Sequence, residues 1–407
     1  MQITRRIRLA EATKLSFKCH EQDGLSRIGH LSTWKRRIMT PVIWFGLSVI
    51  ENYNFQYRAL MVNEVECFLC NAYDLLFQDK NGERKQLVRS LSKKIALKCD
   101  SGGFQIMTRN VKISVDQVYS LQRELECDLA VQLDFPLNPL ANKETNKKRI
   151  RQTLKNLEKT IEINEKLSIL PVIHGYDKDT LDFAIEGVVD ILGEDPPAIG
   201  IGSLVPLLMT SKGAGKIGGK KKVIDTLIYL RQKLPDTFLH VFGAGGTMAY
   251  LIIFCGADSF DFTGWIQKAG HGVIQLPGIS DRFISNRKKR KALNRREMQI
   301  FLECVCPACR SNKIDNFKGR SQHARLLRAI HNIYVYQTEI WRMRRFISEG
   351  YFREFVFSRL ENSVWKPLLK YADRKLVNLG VYSSGCEKID HFINDENLDI
   401  RNSMRSN

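Results

Sequence analysis

The sequence predicts an α/β protein whose main domain is a (β/α)8 (TIM) barrel, and three observations support this prediction. Eight short, continuously apolar runs of strand length recur along the chain. Stretches in which apolar residues have helical spacing lie between several of these runs. Polar side chains, including three aspartates, come at or just after the ends of the runs, where the active-site loops of this fold lie. An open, doubly wound sheet is the alternative.

The eight runs predict parallel strands, because strands that are covered by helices on both faces are apolar throughout. They span residues 39–45, 67–70, 95–97, 129–133, 169–173, 198–201, 238–242 and 259–262. Between the fourth and fifth runs, an amphipathic helix is predicted by apolar residues at spacings of four, three and four: Ile150, Leu154, Leu157 and Ile161.

Length and composition limit the class of protein. With 407 residues, 43% of them hydrophobic, the chain can bury a large core. No apolar run reaches the roughly 18–20 residues that a bilayer-spanning helix needs. The first 15 residues are basic, contain Glu11 and lack the apolar centre of a signal peptide, so we expect a structured N-terminal extension and a cytoplasmic protein. A mitochondrial presequence is the alternative.

The charge of the chain indicates a polyanionic partner. The formal net charge is +19 at pH 7, with a basic cluster at 287–291 followed by Arg295 and Arg296. Such a field attracts nucleic acid, although a single cluster is also compatible with a solvated basic face. The loop 211–222 is rich in glycine and lysine but lacks the Gly-Lys-Ser/Thr ending of a triphosphate-binding loop. It is either a basic flap that contacts phosphates or a solvated loop.

The cysteines indicate a metal site rather than disulfides. Ten cysteines without a secretory signal do not describe a disulfide framework. Cys304, Cys306 and Cys309 bring three thiolates within reach of one metal ion, and His331 or His323 could complete a tetrahedral site. Cys67 and Cys70 lie in an apolar run, so we interpret them as buried core thiols.

The predicted barrel gathers polar residues at one mouth, where the carboxyl ends of its strands lie. In chain order these residues are Asn71 and Tyr73, Asp100 and Ser101, Asp134, His174 and Gly175, Gly202 and Ser203, residues 243–246, and Asp261 within the last strand. If Asp100 and Asp261 flank a glycosidic bond, they permit a double displacement. One attacks the anomeric carbon, and the other donates a proton and takes it back.

This chemistry exchanges one base for another without hydrolysis, provided that the site excludes water. Asp134 suits base recognition, because a carboxylate accepts two hydrogen bonds from the ring N–H and amino group of a guanine-like base. Helix capping is the alternative role for Asp100 and for Asp134 taken singly.

Five motifs together resemble the tRNA-guanine transglycosylase (queuine/archaeosine tRNA-ribosyltransferase) superfamily. They are Asp100-Ser-Gly-Gly-Phe-Gln105, Asp134 followed by Phe-Pro, Ile201-Gly-Ser-Leu-Val-Pro206, Gly256-Ala-Asp-Ser-Phe-Asp261, and Cys-X-Cys-X-X-Cys followed by His331-Asn332. The resemblance runs from about Thr40 to Asn332, most of the chain, and the ordered combination is specific.

The resemblance implies a TIM barrel with a zinc-binding subdomain, which exchanges guanine in a nucleic acid for a 7-deazaguanine (preQ0-like) base. By position, Asp261 is similar to the family's nucleophile and Asp100 to its general acid/base. The implied base-binding residues are Asp134, Ser101, Gly202 and Ser203, and the implied ligands of a structural zinc ion are Cys304, Cys306, Cys309 and His331.

Two departures from the family pattern bear on the substrate. His174-Gly175 stands where queuine-type enzymes have Gln-Gly, so we expect an imidazole to contact the carbonyl oxygen of the base. Phe262-Thr-Gly-Trp265 replaces the usual continuation after the nucleophile. The combination is most similar to the DpdA-type DNA 7-deazaguanine transglycosylases, so DNA is favoured. The alternatives are the same exchange on tRNA and a non-catalytic, zinc-stabilised nucleic-acid-binding subunit.

We therefore expect four segments: an N-terminal extension at 1–35, the barrel at 36–300, the zinc-binding subdomain at 301–345 and a helical C-terminal segment at 346–407. Expected partners are a nucleic acid, a 7-deazaguanine base, and either a second copy of the chain or accessory proteins that open DNA.

Overall fold

The structure is a computed structural model that describes residues 13–48, 52–109, 111–209, 217–284 and 291–384. Four sequence-based predictions involve residues outside these ranges, and one of them is the helical C-terminal segment, whose residues 385–407 are not described. The other three are most of the basic N-terminal stretch, the first half of the glycine- and lysine-rich loop, and residues 287–290 of the basic cluster.

The strands within the described ranges form three sheets. Their bounds are β1 Ser16–Asp23, β2 Ser26–Ser32, β3 Arg37–Thr40, β4 Val42–Gly46, β5 Cys67–Asn71, β6 Ala96–Asp100, β7 Leu129–Val131, β8 Ile169–Leu170, β9 Val172–Ile173, β10 Ala198–Ile201, β11 Phe238–Val241, β12 Ser259–Phe262, β13 Val273–Leu276 and β14 Ile279–Phe283.

The helices alternate with the strands of the largest sheet and continue beyond it. Their bounds are Tyr53–Val62, Ala72–Phe77, Glu83–Ser92, Gly103–Arg109, Val115–Glu124, Lys143–Ile163, Lys178–Leu192, Val205–Met209, Ile217–Lys233, Ala249–Phe254, Gly264–Gly270, Arg295–Leu302, Pro307–Arg310, Gln322–Ser348, Phe352–Leu360 and Lys366–Asn378, with short 3-10 helices at Gly246–Met248 and Ile314–Phe317.

The largest sheet is a parallel barrel, as the sequence predicts. Its order is β8-β7-β6-β5-β4-β12-β11-β10-β9, and every pairing in it is parallel. The two end strands, β8 and β9, are consecutive in the chain and flank Pro171. Proline has no backbone N–H and interrupts the ladder, so β8 and β9 are two halves of one barrel strand that closes the ring. The alternative of an open, doubly wound sheet is therefore wrong.

The interior of the barrel is apolar at its amino-terminal end. A cluster of fully buried side chains fills this end, and it includes Leu31 and Ile38 from the antiparallel sheet β1-β2-β3, which covers the opening. The barrel strands contribute Val42, Trp44, Cys67, Ala96, Leu129, Val131, Leu170, Val172, Ala198 and Phe238. Because side chains alternate along a strand, residues two and four positions after these point inward nearer the carboxyl end.

The predicted amphipathic helix is Lys143–Ile163, which begins at the N-cap Asn142. Ile150, Leu157 and Ile161 are buried against the barrel, in agreement with their spacing. The next helix, Lys178–Leu192, begins with a capping box at Asp177 and ends at Gly193 in the left-handed region, with a φ of 78°. Local caps thus set the bounds of the helices that cover the sheet.

The region after the barrel is helical. The hairpin β13-β14 and the helix Gly264–Gly270 pack on the long helix Gln322–Ser348, which continues without a break through residue 345, where we expect one segment boundary. Two further helices, Phe352–Leu360 and Lys366–Asn378, lie within the predicted C-terminal segment 346–407. Among the helices described, none combines the length and the apolar composition that a bilayer span requires.

Candidate active site and metal centre

Asp100 is the last residue of β6 and lies beside the end of β5, where Asn71 is its register partner. Asn71 Nδ2 donates a hydrogen bond of 2.7 Å to Asp100 Oδ2. Burial, together with the negative charges of Asp134 and Asp261, raises the pKa of Asp100 to about 7. A carboxyl group with this pKa both donates and accepts a proton near neutral pH.

Asp261 lies within β12, and its register partner on β4 is the inward-pointing Trp44. Its Oδ2 accepts a 2.7 Å hydrogen bond from Lys98 Nζ, and its Oδ1 accepts one of 2.6 Å from the backbone N–H of Gly243. Burial alone would raise the pKa of Asp261, but the positive charge of Lys98 outweighs this effect and holds the pKa well below the ordinary range. Asp261 is therefore ionised at neutral pH.

Two carboxyl groups at one mouth thus have pKa values that are displaced in opposite directions. The cause is their different neighbours. Asp261 contacts an ammonium group and a backbone N–H, whereas the partly buried Asp100 lies near the negative charges of two other acids. Such a pair divides the tasks of a double displacement, because the ionised group can attack while the other holds a proton.

A second group of side chains surrounds Asp134, which is buried after the end of β7. Ser101 Oγ donates a 3.0 Å hydrogen bond to Asp134 Oδ1. His174 Nε2 lies 3.1 Å from Asp134 Oδ2 but is not aligned for a hydrogen bond with it. The carboxylate of Asp134 is thus fixed on one side and retains acceptor capacity on the other.

The tautomer of His174 follows from its neighbours. The backbone N–H of Leu137 donates to Ser203 Oγ at 2.8 Å, and this hydroxyl lies 2.9 Å from His174 Nδ1. We assign the ring proton to Nε2, because Nε2 faces the Asp134 carboxylate at 3.1 Å while Nδ1 can accept from the Ser203 hydroxyl. That N–H is buried and has no hydrogen-bond partner within the described part of the chain, so it is available to a ligand.

Two glycines allow these groups to approach each other. A Cβ atom at Gly103 would lie 2.4 Å from both the carbonyl oxygen and Oδ1 of Asp134. At Gly202 it would lie 2.4 Å from His174 Cε1. A larger side chain at Gly103 would therefore separate the segments after the third and fourth barrel strands, and one at Gly202 would separate those after the fifth and sixth. Gly202, predicted to bind the base, lies directly against His174.

The structure adds three residues that the sequence analysis did not single out. Lys98 and His240 are fully buried in the barrel interior, and Phe104, in the first turn of the helix Gly103–Arg109, is 53% exposed. A lysine next to a strand and a histidine within one were visible in the sequence. The predicted third strand ended at residue 97, however, whereas β6 extends to Asp100, so the inward orientation of Lys98 was missed.

The four predicted metal ligands lie together. The ligand atoms of Cys304, Cys306, Cys309 and His331 are all within 4.8 Å of one another. His331 Nδ1 lies 3.5 Å from Cys304 Sγ, 3.7 Å from Cys306 Sγ and 3.5 Å from Cys309 Sγ. Tetrahedral zinc with ordinary Zn–S and Zn–N bonds gives a sulfur–nitrogen separation of about 3.6 Å, so the site fits a metal ion of this size.

The orientation of His331 is set by a residue outside the cluster. Its Nε2 lies 2.8 Å from the carbonyl oxygen of Gln275, so Nε2–H donates and the lone pair of Nδ1 faces the three thiols. The backbone N–H of Gln275 in turn donates to Asn332 Oδ1 at 2.7 Å. His323, the other candidate, is exposed at the start of the helix Gln322–Ser348 and is not part of the cluster.

Comparison with known proteins adds a family match. The profile of the family described as "Queuine tRNA-ribosyltransferase" matches residues 22–364. The chain is 28% identical over 374 residues to a tRNA-guanine(15) transglycosylase of Pyrococcus abyssi, covering 88% of this chain and 59% of that protein. It is 23% identical over 389 residues to the enzyme of the same name from Sulfolobus acidocaldarius, covering 93% of this chain and 72% of that protein. The chain thus spans about three fifths of the length of the Pyrococcus relative.

Proposed function

The chain belongs to the queuine tRNA-ribosyltransferase family, and from this premise we propose that it is a pentosyltransferase that exchanges guanine in a nucleic acid for a 7-deazaguanine base. The observation that carries the proposal is the pair of acids with opposite pKa displacements. Asp261 is ionised by its contact with Lys98, and Asp100 has a pKa of about 7.

The proposed reaction has two displacements. In the first, an oxygen of Asp261 attacks the anomeric carbon of the sugar, the glycosidic bond to guanine breaks, and the proton of Asp100 neutralises the departing base. In the second, the Asp100 carboxylate takes the ring N–H proton of the incoming base. That nitrogen then attacks the anomeric carbon and releases Asp261 as a carboxylate. Protons and charges balance, and no water is consumed.

We propose that the group around Asp134 recognises the base. The Asp134 carboxylate accepts the ring N–H and amino hydrogens of guanine, while the unpartnered Nε2–H of His174 donates to the carbonyl oxygen. Adenine presents the opposite pattern of donors and acceptors, so it would leave both groups unpaired. The exposed ring of Phe104 supplies an apolar surface on which a planar base can stack.

We propose tRNA as the acceptor polymer. The sequence analysis favoured DNA, with tRNA as the alternative, but the archaeal relatives reported above carry the name tRNA-guanine(15) transglycosylase, which supports tRNA. The net charge of +19 is compatible with either polymer.

We propose that the Cys304, Cys306, Cys309 and His331 cluster holds zinc and that its role is structural. Four protein ligands complete a tetrahedron and leave no position for water. The metal would fix the segment around the cysteines to the helix Gln322–Ser348, which also packs on the barrel.

The test is exchange of isotopically labelled guanine into a tRNA transcript or duplex DNA in separate reactions, read by nucleoside mass spectrometry. We expect label in tRNA, and a covalent protein–RNA adduct on a denaturing gel, for the wild type. Asp261→Asn should show neither, whereas Asp190→Asn, the same change at an exposed helix position, should behave as the wild type. Because Asp261→Asn removes the anionic partner of a buried lysine, its folding must be checked by circular dichroism.

Each remaining result has a clear meaning. Label in DNA only would keep the chemistry and overturn tRNA as the acceptor. Exchange that survives in a folded Asp261→Asn variant would remove Asp261 as the nucleophile. Binding of both polymers without adduct or exchange would support the non-catalytic subunit.

A further inference from the structure

Lys98 is a fully buried cation in the barrel interior, just below the candidate active site. Its Nζ donates to Asp261 Oδ2 at 2.7 Å and also contacts His240 Nε2. The rings of Phe242 and Trp44 lie 4.9 and 5.8 Å from the nitrogen. The ammonium group is thus enclosed by one carboxylate, one imidazole and two aromatic rings.

Fold stability alone does not account for this arrangement. Taking an ammonium group out of water is energetically costly, and a buried ion pair is often no more stable than well-packed apolar residues of the same volume. The neighbouring interior positions Ala96, Leu129 and Trp44 are apolar. A methionine or leucine in place of Lys98 would continue this apolar filling.

We propose that Lys98 is a positioning residue that keeps the Asp261 carboxylate ionised and aligned through both displacements, with neutral His240 as the acceptor that fixes the ammonium group. This inference rests on the proposed function, because it takes Asp261 to be the nucleophile. Lys98 itself does not touch the substrate and exchanges no proton in the reaction.

The hydrogen bonds around His240 support its neutral state. His240 Nδ1 lies 2.7 Å from Ser259 Oγ, and His240 Nε2 contacts Lys98 Nζ and lies 3.2 Å from Asp261 Oδ2. In the neutral tautomer that we assign, the ring proton is on Nδ1 and is donated to the hydroxyl, which leaves the lone pair of Nε2 for Lys98. Burial and the charge of Lys98 lower the pKa of His240 to about 4. The other titratable groups that act on Lys98 are Asp261, Asp100 and the Cys67 thiol, and of these Asp261 alone makes an ion pair with it.

The pairing has a consequence for the second displacement. When Asp261 is esterified to the sugar it loses its negative charge, and the buried ammonium group of Lys98 then has no anion at hydrogen-bond distance. Release of the ester restores the carboxylate next to that cation, so Lys98 favours Asp261 as a leaving group. Removing the charge of Lys98 should therefore slow breakdown of the covalent adduct more than its formation.

The first test reads the ionisation of Asp261 directly and does not depend on any substrate. Protein with 13C-carboxyl aspartate is titrated by NMR, and Asp261→Asn assigns the signal. In Lys98→Met we expect the Asp261 pKa to rise by at least about one unit. Lys98→Arg retains the charge and should restore most of the difference. Lys268→Met is the matched control, because Lys268 forms a 2.7 Å ion pair with Asp281 outside the acid pair, and its loss should leave the Asp261 titration unchanged.

The second test uses tRNA transcript and labelled guanine. In Lys98→Met we expect the rate of base exchange at pH 6 to fall at least about tenfold. At pH 8 we expect a larger fraction of this variant than of the wild type to be trapped as the covalent adduct. A residue that only filled space would lower both the adduct and the exchange rate in proportion to the folded fraction. Unchanged titration of Asp261 in a folded Lys98→Met variant would overturn the inference.

Two further outcomes are decisive. If Lys98→Met and Lys98→Gln do not fold, the titration of the wild-type protein tests the inference. An Asp261 signal that titrates below the ordinary carboxyl range would support it, and one that titrates within that range would contradict it. If Lys98→Met shifts the Asp261 titration but the wild type exchanges no base with any polymer, then the control of Asp261 by Lys98 stands and the proposed function fails.

Discussion

Asn71 and Asp100 are register partners at the carboxyl ends of β5 and β6, and Asn71 Nδ2 donates a 2.7 Å hydrogen bond to Asp100 Oδ2. Gly102 N lies 3.4 Å from the same oxygen. One oxygen of Asp100 is therefore held by its neighbours, and the other remains available for proton transfer. The parallel register of two adjacent strands orients the proposed general acid/base.

Asn71 should therefore matter for the rate of exchange. Asn71 also caps the helix Ala72–Phe77, and serine is a good N-cap, so Asn71→Ser retains the cap but loses the amide donor. We expect kcat for guanine exchange to fall roughly 10- to 100-fold, with little change in the KM for guanine, because alignment of the acid is lost. Steady-state kinetics measure this. Asn316→Ala, an exposed asparagine, is the control, and an unchanged kcat in Asn71→Ser would show that the hydrogen bond does not orient Asp100.

Asp100 should reduce stability at alkaline pH. Burial raises the pKa of Asp100 from 3.8 to about 7. The folded protein therefore binds the carboxyl proton of Asp100 more tightly than the unfolded chain does. The resulting stabilisation is complete below pH 3.8 and is lost as the pH rises through about 7. Asp100→Asn carries no charge at any pH, so we expect it to melt at least about 2 °C above the wild type at pH 8, with a smaller difference at pH 5.

Thermal melts of Asp100→Asn at the two pH values check this expectation, with Asp190→Asn as the exposed control. The same variant should lose base exchange, because it cannot transfer a proton. A variant that is less stable than the wild type at pH 8 would contradict the argument from burial.

His174 should determine affinity for the base. Its buried Nε2–H has no partner within the described residues, so a base carbonyl gains a hydrogen bond there without displacing another. We expect His174→Ala to raise the KM for guanine by about 10- to 100-fold, in line with the loss of one buried hydrogen bond of roughly 1–3 kcal/mol. His174→Gln restores a donor and should recover part of the affinity. The measurement is competition between guanine and analogues that lack the carbonyl oxygen. The wild type should prefer guanine, whereas His174→Ala should no longer discriminate between the two. His323→Ala serves as control.

Metal removal should destabilise the region after the barrel. We expect zinc equimolar with the chain by elemental analysis, and a fall of several degrees in the melting temperature after chelation, because the ligands contribute folding energy only when the metal is bound. Cys309→Ser should lose the metal, whereas Cys19→Ser, a thiol outside the cluster, should retain it. A melting temperature that chelation leaves unchanged would exclude a structural role.

Much of the fold was predictable because the signals are local. Each of the eight apolar runs forms part of a barrel strand, and a split at Pro171 changes neither the count nor the order. The sheet β1-β2-β3 was missed because β1 consists largely of polar residues, such as Lys18 and Glu21, and alternates between exposed and half-buried positions. A strand of this kind lacks the continuous apolar run by which the others were identified.

Some features of the candidate site could also be predicted from the sequence, whereas others depend on the fold. The sequence by itself determined which residue types follow each strand and the spacing of the cysteines, because those patterns are set within short segments. Only the tertiary structure brought Lys98 to Asp261, 163 positions away, and to His240, 142 positions away. The tertiary structure likewise determines that the pKa values of Asp100 and Asp261 are displaced in opposite directions. Burial and the distance between charges determine them, and both depend on the register of strands that are remote in the chain.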